Sequence, residues 1–442
     1  MTMTAKSSPN PVLWRNSQFV RLWIGNLISA LADGAFFISL SWFIVDKTGS
    51  EAVLGTTLMC MSIPRLLFML VGGVAADKYS RKWIMFASIL ARGIVLGVFG
   101  MLLIMQETGH WLPYSAYVTA FLFGTVDAFF WPARSSVLPF VVSREQLAPA
   151  NSLMEIAQQI SLVGGPLAAA LLMRSTSYPA TFLTMAAAFF VGTLIIFTLR
   201  LQQGETISRD SQTKAEPSFF RQIFEGILFA KTIPVLMIIF GTSLVVNMMF
   251  SGPVNMGLPL LVKQLGWDSN AYSSLSTSLG VGTIIGGIIT GVCNGFRGRF
   301  LLLPFLLGFM GAGIVAVSFM HELPFGLSMM LIVGLTMAMT NIPLLTYIQT
   351  IVPEHMLGRV ISLLTTMSIG LGPVSYAICS FLLQKQILEA DTLLLVGGFA
   401  VGLLGMSLIL FRHFRQAEQH PLWAQQGIKN KQEQEPQTSL SV

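Results

Sequence analysis

Charge is scarce in this sequence: Asp, Glu, Lys and Arg make up 10% of 442 residues, against 53% hydrophobic ones. A soluble globule carries about a quarter charged residues, so this chain has too little polar surface to face water on all sides. With a mean hydropathy of +0.70, it must be solvated by lipid. Cysteine is nearly missing too. The three present, Cys60, Cys293 and Cys379, sit in apolar runs at no metal-like spacing, which excludes a disulfide framework and reads as packing. The five histidines, His110, His321, His355, His413 and His420, fall in predicted loops or the tail. None pairs with a cysteine or another histidine at ligand spacing, so no metal site is expected. There is no Walker-type loop to cradle phosphates, which excludes ATP hydrolysis by this chain. Gly280 to Gly286 matches part of a nucleotide fingerprint, but it lies in an apolar run where glycine spacing serves helix packing. Neither an enzyme active site nor a cofactor is expected.

What the chain has in abundance is long apolar runs. They cover roughly 19–45, 52–76, 83–106, 112–138, 150–172, 177–199, 233–261, 270–293, 299–320, 324–349, 360–384 and 391–412. Each is near the ~20 residues a helix needs to cross the hydrocarbon core. The expected fold is therefore all-α and integral to the membrane, with about 12 transmembrane helices. If the N-terminus is cytoplasmic, twenty of the 26 Lys and Arg fall on that side and four, Lys47, Arg174, Lys263 and Lys385, on the other. Both termini are thus expected in the cytoplasm. The net charge of +6 reflects topology and not a nucleic-acid partner. No cleavable signal peptide is expected ahead of the first span.

One stretch breaks the run of short loops. Leu201 to Pro217 is polar and charged and reads as a flexible linker. After it, Phe219, Phe220, Ile223, Phe224 and Ile227 recur at helical spacing beside Arg221 and Lys231, an amphipathic helix suited to the inner leaflet. From about Gln416 the chain is rich in Gln and Glu, a composition expected to be disordered. The division that follows is 1–18 N-terminus, 19–199 first six-helix bundle, 200–232 linker with amphipathic helix, 233–412 second six-helix bundle and 413–442 tail. The halves echo one another. Val142, Leu147, Ser152 and Leu153 recur at a fixed offset as Val352, Leu357, Ser362 and Leu363, and Gly165-Pro166 recurs as Gly372-Pro373. Six-plus-six duplication explains both, and the Gly-Pro pairs mark helix packing and kinks.

The turn between the second and third runs is Gly73-Val74-Ala75-Ala76-Asp77-Lys78-Tyr79-Ser80-Arg81-Lys82. A glycine one helical turn before an acid is expected to let a neighbouring helix approach. The cations after it hold the turn on the cytoplasmic side. The pattern resembles the signature loop of the major facilitator superfamily. Asp77 is then the acid of a charge-based cytoplasmic latch, with Lys78, Arg81 and Lys82 around it and Arg134 or a helix N-terminus opposite. The alternative is that the turn only sets topology. In the second half Gly286-Gly287 precede Arg297 and Arg299, but Gly291 stands where the acid would be. Phe130-Trp131-Pro132-Ala133-Arg134, Val137-Leu138-Pro139, Leu147-Ala148-Pro149-Ala150-Asn151-Ser152-Leu153 and Pro64-Arg65-Leu66-Leu67-Phe68 resemble the branch with macrolide and multidrug efflux proteins and the enterobactin exporter. That resemblance implies two pseudo-symmetric six-helix bundles in a bacterial inner membrane. It also favours export of a small molecule, here expected to proceed by alternating access in a monomer. The span-five motif of exporters is degenerate here, since Ala168, Ala169 and Ala170 follow Gly165-Pro166.

Four charges stand out deep within the spans: Asp33, Arg65, Arg92 and Asp127. A charge in hydrocarbon costs at least ~2.5 kcal/mol and persists only with a partner or a water-filled cavity. Counting about 1.5 Å per residue puts all four in the middle or inner half of the bilayer, where they can meet. Asp33, between Ala32 and Gly34, is expected to exchange protons, because desolvation and a nearby arginine pull its proton affinity in opposite directions. A permanently paired structural acid is the alternative for Asp33. It is the preferred reading for Asp127, with Arg92 or Arg134 as partner. Spans seven to twelve offer only neutral polar groups inside, among them Asn247, Asn341, Tyr347 and Tyr376, with Met248, Met249, Phe250, Met337 and Met339 nearby. These are expected to form an adaptable wall for a bulky small-molecule substrate. Proton-coupled efflux of a drug, macrolide or siderophore is the expected function. Uptake by the same fold, or a membrane sensor or assembly protein that moves nothing, are the alternatives.

Overall fold

The structure is a computed structural model that describes residues 13–105, 111–143, 146–201, 219–296, 299–419 and Trp423. Among them there is no β-strand. The helices are α1 (Ser17–Thr48), α2 (Glu51–Lys78), α3 (Arg81–Met105), α4 (Leu112–Val137), α5 (Leu147–Ser175), α6 (Tyr178–Phe197), α7 (Phe219–Thr232), α8 (Pro234–Gly252), α9 (Leu258–Gln264), α10 (Ser269–Val292), α11 (Leu302–Ser318), α12 (Leu323–Ile351), α13 (Glu354–Gly370), α14 (Gly372–Gln384), α15 (Ala390–Ser407) and the single turn α16 (Arg412–Arg415). A π-helical turn, Pro253–Gly257, joins α8 to α9. Among the described residues, ten helical segments are long and apolar enough to cross a membrane, and α11 is a shorter apolar helix. With α4, they make twelve spans, and the protein is a multi-pass membrane protein. The runs and the helices agree because apolar length and helix length are fixed by the same hydrocarbon thickness.

Two compact units divide the chain. The first holds residues up to Leu40 and Cys60–Gln212, and the second holds Ser41–Met59 and Thr213–Val442. In the first, α3 packs mainly on α6 and α4. The buried positions of α3, from Met85, Ser88 and Ile89 through Arg92, Gly93, Leu96 and Phe99, recur every three or four residues, so the one arginine among them is carried into the core by the same stripe as its apolar neighbours. In the second unit, α10 packs on α12 and α11 on α15. There the α1–α2 hairpin is tied by a Trp42–Tyr272 stack with centroids 6.0 Å apart. Lys263 Nζ donates to both the carboxylate and the backbone carbonyl of Asp46, each at 3.0 Å.

Three details differ from the reading of the sequence. Close helix approach falls on Gly72, where a Cβ would lie 2.6 Å from the carbonyl oxygen of Ala128 on α4, while Gly73 meets nothing within 4 Å. Gly286 does the same against Leu335 of α12, so in each half the first glycine of the pair makes the contact. The two Gly-Pro pairs also part company: α5 continues through Pro166, whereas α13 and α14 break at Leu371 before Gly372-Pro373. Finally, the region after α15 is packed at least in part. Phe414, Ala417 and Trp423 are each at most 3% exposed, apolar residues that a composition rich in Gln and Glu conceals. The linker residues 202–218 lie outside the described residues. Helix α7 follows them, with Gly226 against the carbonyl of Arg359.

Candidate functional site

Four helices of the first unit bring their charged residues into one alternating chain. Arg92 Nη1 on α3 donates to both carboxylate oxygens of Asp33 on α1, at 2.7 Å each, and to Oδ1 of Asp127 on α4 at 3.3 Å. The second oxygen of Asp127 lies 3.1 Å from Nε of Arg65 on α2. Two cations and two anions cancel, which is the condition for keeping such a group in a low-dielectric interior. Exposure is graded along the chain. The inner pair, Arg92 and Asp127, is 0% and 5% exposed, whereas the outer members, Asp33 and Arg65, are 30% and 32% exposed.

Arginine suits the buried position for a further reason. Its guanidinium lies 4.5 Å from the Phe130 ring, 5.2 Å from Phe189 and 5.9 Å from Phe123. Its Nε and Nη2 have no hydrogen-bond partner among the described residues, so aromatic faces take the part of the cation that carboxylates do not. Asp33 owes its place to the residue beside it. A Cβ on Gly165 would fall 2.8 Å from the Cα of Gly34, so α1 and α5 touch backbone to backbone next to the acid. Ser88 Oγ donates to the carbonyl of Val126 at 2.7 Å and fixes α3 on α4 beside Asp127.

Arg134 is not part of this cluster. It is buried, its Nη2 donates to the carbonyl of Met154 on α5 at 3.2 Å, and Glu155 stands 4.0 Å away. The partners of Asp127 are thus Arg92 and Arg65. At the α2–α3 turn, Arg81 lies 4.6 Å from the Phe140 ring, and Lys82 lies 5.3 Å and 5.6 Å from Trp83 and Phe197. Lys78 is exposed. The side chain of Asp77 lies outside the described residues.

A cavity of about 420 Å³ opens within the second unit. Its lining includes Asn247 and Phe250 of α8, Met310 of α11, and Met337 and Asn341 of α12, and no charged side chain among the described residues. Asn247 spends its amide on its own helix, donating to the Ser243 carbonyl at 2.8 Å. Tyr347 and Tyr376 do not line this cavity. Tyr347 is fully buried, and its hydroxyl donates to the carbonyl of Ala417 at 3.2 Å. The hydroxyl of Tyr376 accepts from Asn255 at 3.0 Å. Phe414, absent from the residues expected at the site, lines the cavity from beyond the last span; its only signal in the sequence is an aromatic residue in an otherwise polar tail.

Comparison with known proteins adds to this geometry. The model of the Major Facilitator Superfamily matches residues 22–377. The chain is 24% identical over 355 residues to Macrolide efflux protein A of Streptococcus pyogenes, covering 78% of this chain and 84% of that one. It is 24% identical over 412 residues to the Enterobactin exporter EntS of Escherichia coli K12, covering 90% and 93%. Its fold matches a crystal structure of the nucleoside transporter NupG in mutant form with a TM-score of 0.70 at 13% identity, over 89% of this chain and 99% of that one.

Proposed function

The chain belongs to the Major Facilitator Superfamily, and from that membership we propose that this transporter is a proton-driven exporter of an amphipathic small molecule, working by alternating access. It is a transporter and not an enzyme. The observation that carries the proton reading is the pairing of Asp33, partly exposed, with Arg92, fully buried. A buried arginine cannot give up its proton. When Asp33 takes one, Arg92 keeps Asp127 as counter-ion, and the surplus charge rests with Arg65 at the other partly exposed end. The acid can therefore change charge without stranding a cation in the core, as a carrier requires and a merely structural acid does not.

The substrate reading rests on the neutral cavity. Asn247 and Asn341 amid leucine, methionine and phenylalanine suit a ligand with a large apolar body and a few hydrogen-bonding groups. Similarity to a macrolide efflux protein and to an enterobactin exporter supports export and this size class. Arg81 and Lys82, seated against the rings of Phe140 and Phe197, anchor the start of α3, which supports reading the α2–α3 turn with Asp77 and Lys78 as the cytoplasmic latch; Arg134 would act from α4, where it is held to α5.

Everted membrane vesicles energised by respiration test this directly, with a labelled macrolide, a lipophilic cationic dye and a catecholate siderophore as probes. Accumulation of at least one probe that collapses on adding a protonophore supports the reading. Accumulation that persists after the proton gradient is dissipated contradicts it.

A further inference from the structure

The cavity of the second unit has one wall that does not come from a membrane-spanning helix. Phe414 sits on the single turn α16 and is 1% exposed, yet it reaches the lining beside Leu303 and Leu307. The segment that carries it is held at several points. Phe414 packs on Phe300 with centroids 5.0 Å apart, and Phe300 packs on Tyr347 at 4.4 Å. Trp423 closes over Tyr347 at 5.1 Å and Phe300 at 6.4 Å. Tyr347 donates to the Ala417 carbonyl at 3.2 Å, and Glu418 accepts from the Leu301 amide at 3.4 Å. A short segment fastened by an aromatic cluster, a hydrogen bond from a fully buried tyrosine and a backbone amide is a fixed structural part and not a fraying end.

We propose that this strap, residues 412–419 together with Trp423, makes Phe414 a specificity-determining residue, whose ring limits the size of molecule the neutral cavity admits, and that Tyr347 is the positioning residue that holds the strap in place. Removing the ring would lengthen the cavity toward Phe300 without altering its neutral polar groups. Removing only the Tyr347 hydroxyl would loosen the strap while the aromatic packing stays. The physiological meaning of this limit rests on the cavity being the substrate site. The geometry of access does not, so the two can fail separately.

The test uses the purified full chain in detergent micelles, with Asn341→Cys placing a thiol in the cavity. Labelling is followed peptide by peptide by mass spectrometry with a small methanethiosulfonate and a bulky aromatic maleimide. The native exposed Cys293 standardises the reagents and the native buried Cys379 reports any loss of fold. In the presence of Phe414→Ala, the rate of bulky labelling at position 341 should rise several-fold relative to the small reagent, with Cys379 still protected. Phe414→Leu should give a smaller rise. An unchanged ratio of bulky to small labelling overturns the proposal. Should Phe414→Ala also open Cys379, Tyr347→Phe decides in its place: a selective rise at position 341 supports the strap, and none overturns it. In transport, Phe414→Ala should admit bulkier members of a probe series; failure there with success in labelling would count against the cavity as the substrate site and not against the strap.

Discussion

Gly34 and Gly165 meet so closely that a Cβ on Gly165 would lie 2.8 Å from the Cα of Gly34, and this contact stands one residue from Asp33. The α1–α5 packing contact and the proposed proton-carrying acid are therefore one piece of structure. A methyl group at position 165 must push α1 and α5 apart, and overpacking of this kind costs about 1–3 kcal/mol. Gly165→Ala should lower the thermal midpoint of the purified protein and weaken transport together. A variant with normal transport would detach Asp33 from the α1–α5 contact.

The two glycines ahead of the α2–α3 turn should respond in opposite ways. A Cβ at Gly72 would meet the Ala128 carbonyl at 2.6 Å, but one at Gly73 meets nothing within 4 Å. In an open helical position Gly→Ala gains up to about 1 kcal/mol. Gly73→Ala should match or exceed the wild type in thermal stability, whereas Gly72→Ala should fall below it.

The members of the charge chain are not equivalent. Asp127→Asn would leave buried Arg92 with one carboxylate, Asp33, and removing one partner of a buried pair costs about 3–5 kcal/mol. Arg65→Gln removes a partly exposed cation, a loss nearer the ~0–1 kcal/mol of exposed pairs. Thermal unfolding of both variants should show a large drop for Asp127→Asn and a small one for Arg65→Gln. Equal drops would mean that the exposure gradient does not govern the energetics.

Asp46 and Lys263 make a pair of good geometry at 3.0 Å, but both side chains are more than a third exposed. Such a pair contributes about 0–1 kcal/mol, and Lys263 keeps the Asp46 carbonyl as acceptor when the carboxylate is gone. Asp46→Asn should shift the thermal midpoint by no more than a few degrees.

Much of this architecture is legible in the sequence, and the reasons differ by feature. Span positions are legible because run length is dictated by the membrane, and so the twelve runs and the helices coincide. The charge chain is legible because Asp33, Arg65, Arg92 and Asp127 stand out against apolar neighbours, and a buried charge needs a partner. What is not legible is helix rotation. When nearly every face is apolar, the sequence cannot say which way Tyr347 or Tyr376 points, and both turn from the cavity toward other partners. Choosing between Gly72 and Gly73 fails for the same reason. The strap around Phe414 escapes because three buried residues are outvoted by a polar tail.

The most direct measurement is substrate-induced proton movement in proteoliposomes, comparing the wild type with Asp33→Asn on the transported probe. Proton flux should depend on the probe in the wild type and be lost in Asp33→Asn, with Asp33→Glu retaining part of it. Probe-dependent proton flux that survives in Asp33→Asn, in a variant that still folds, would contradict the proton-carrier role proposed for Asp33.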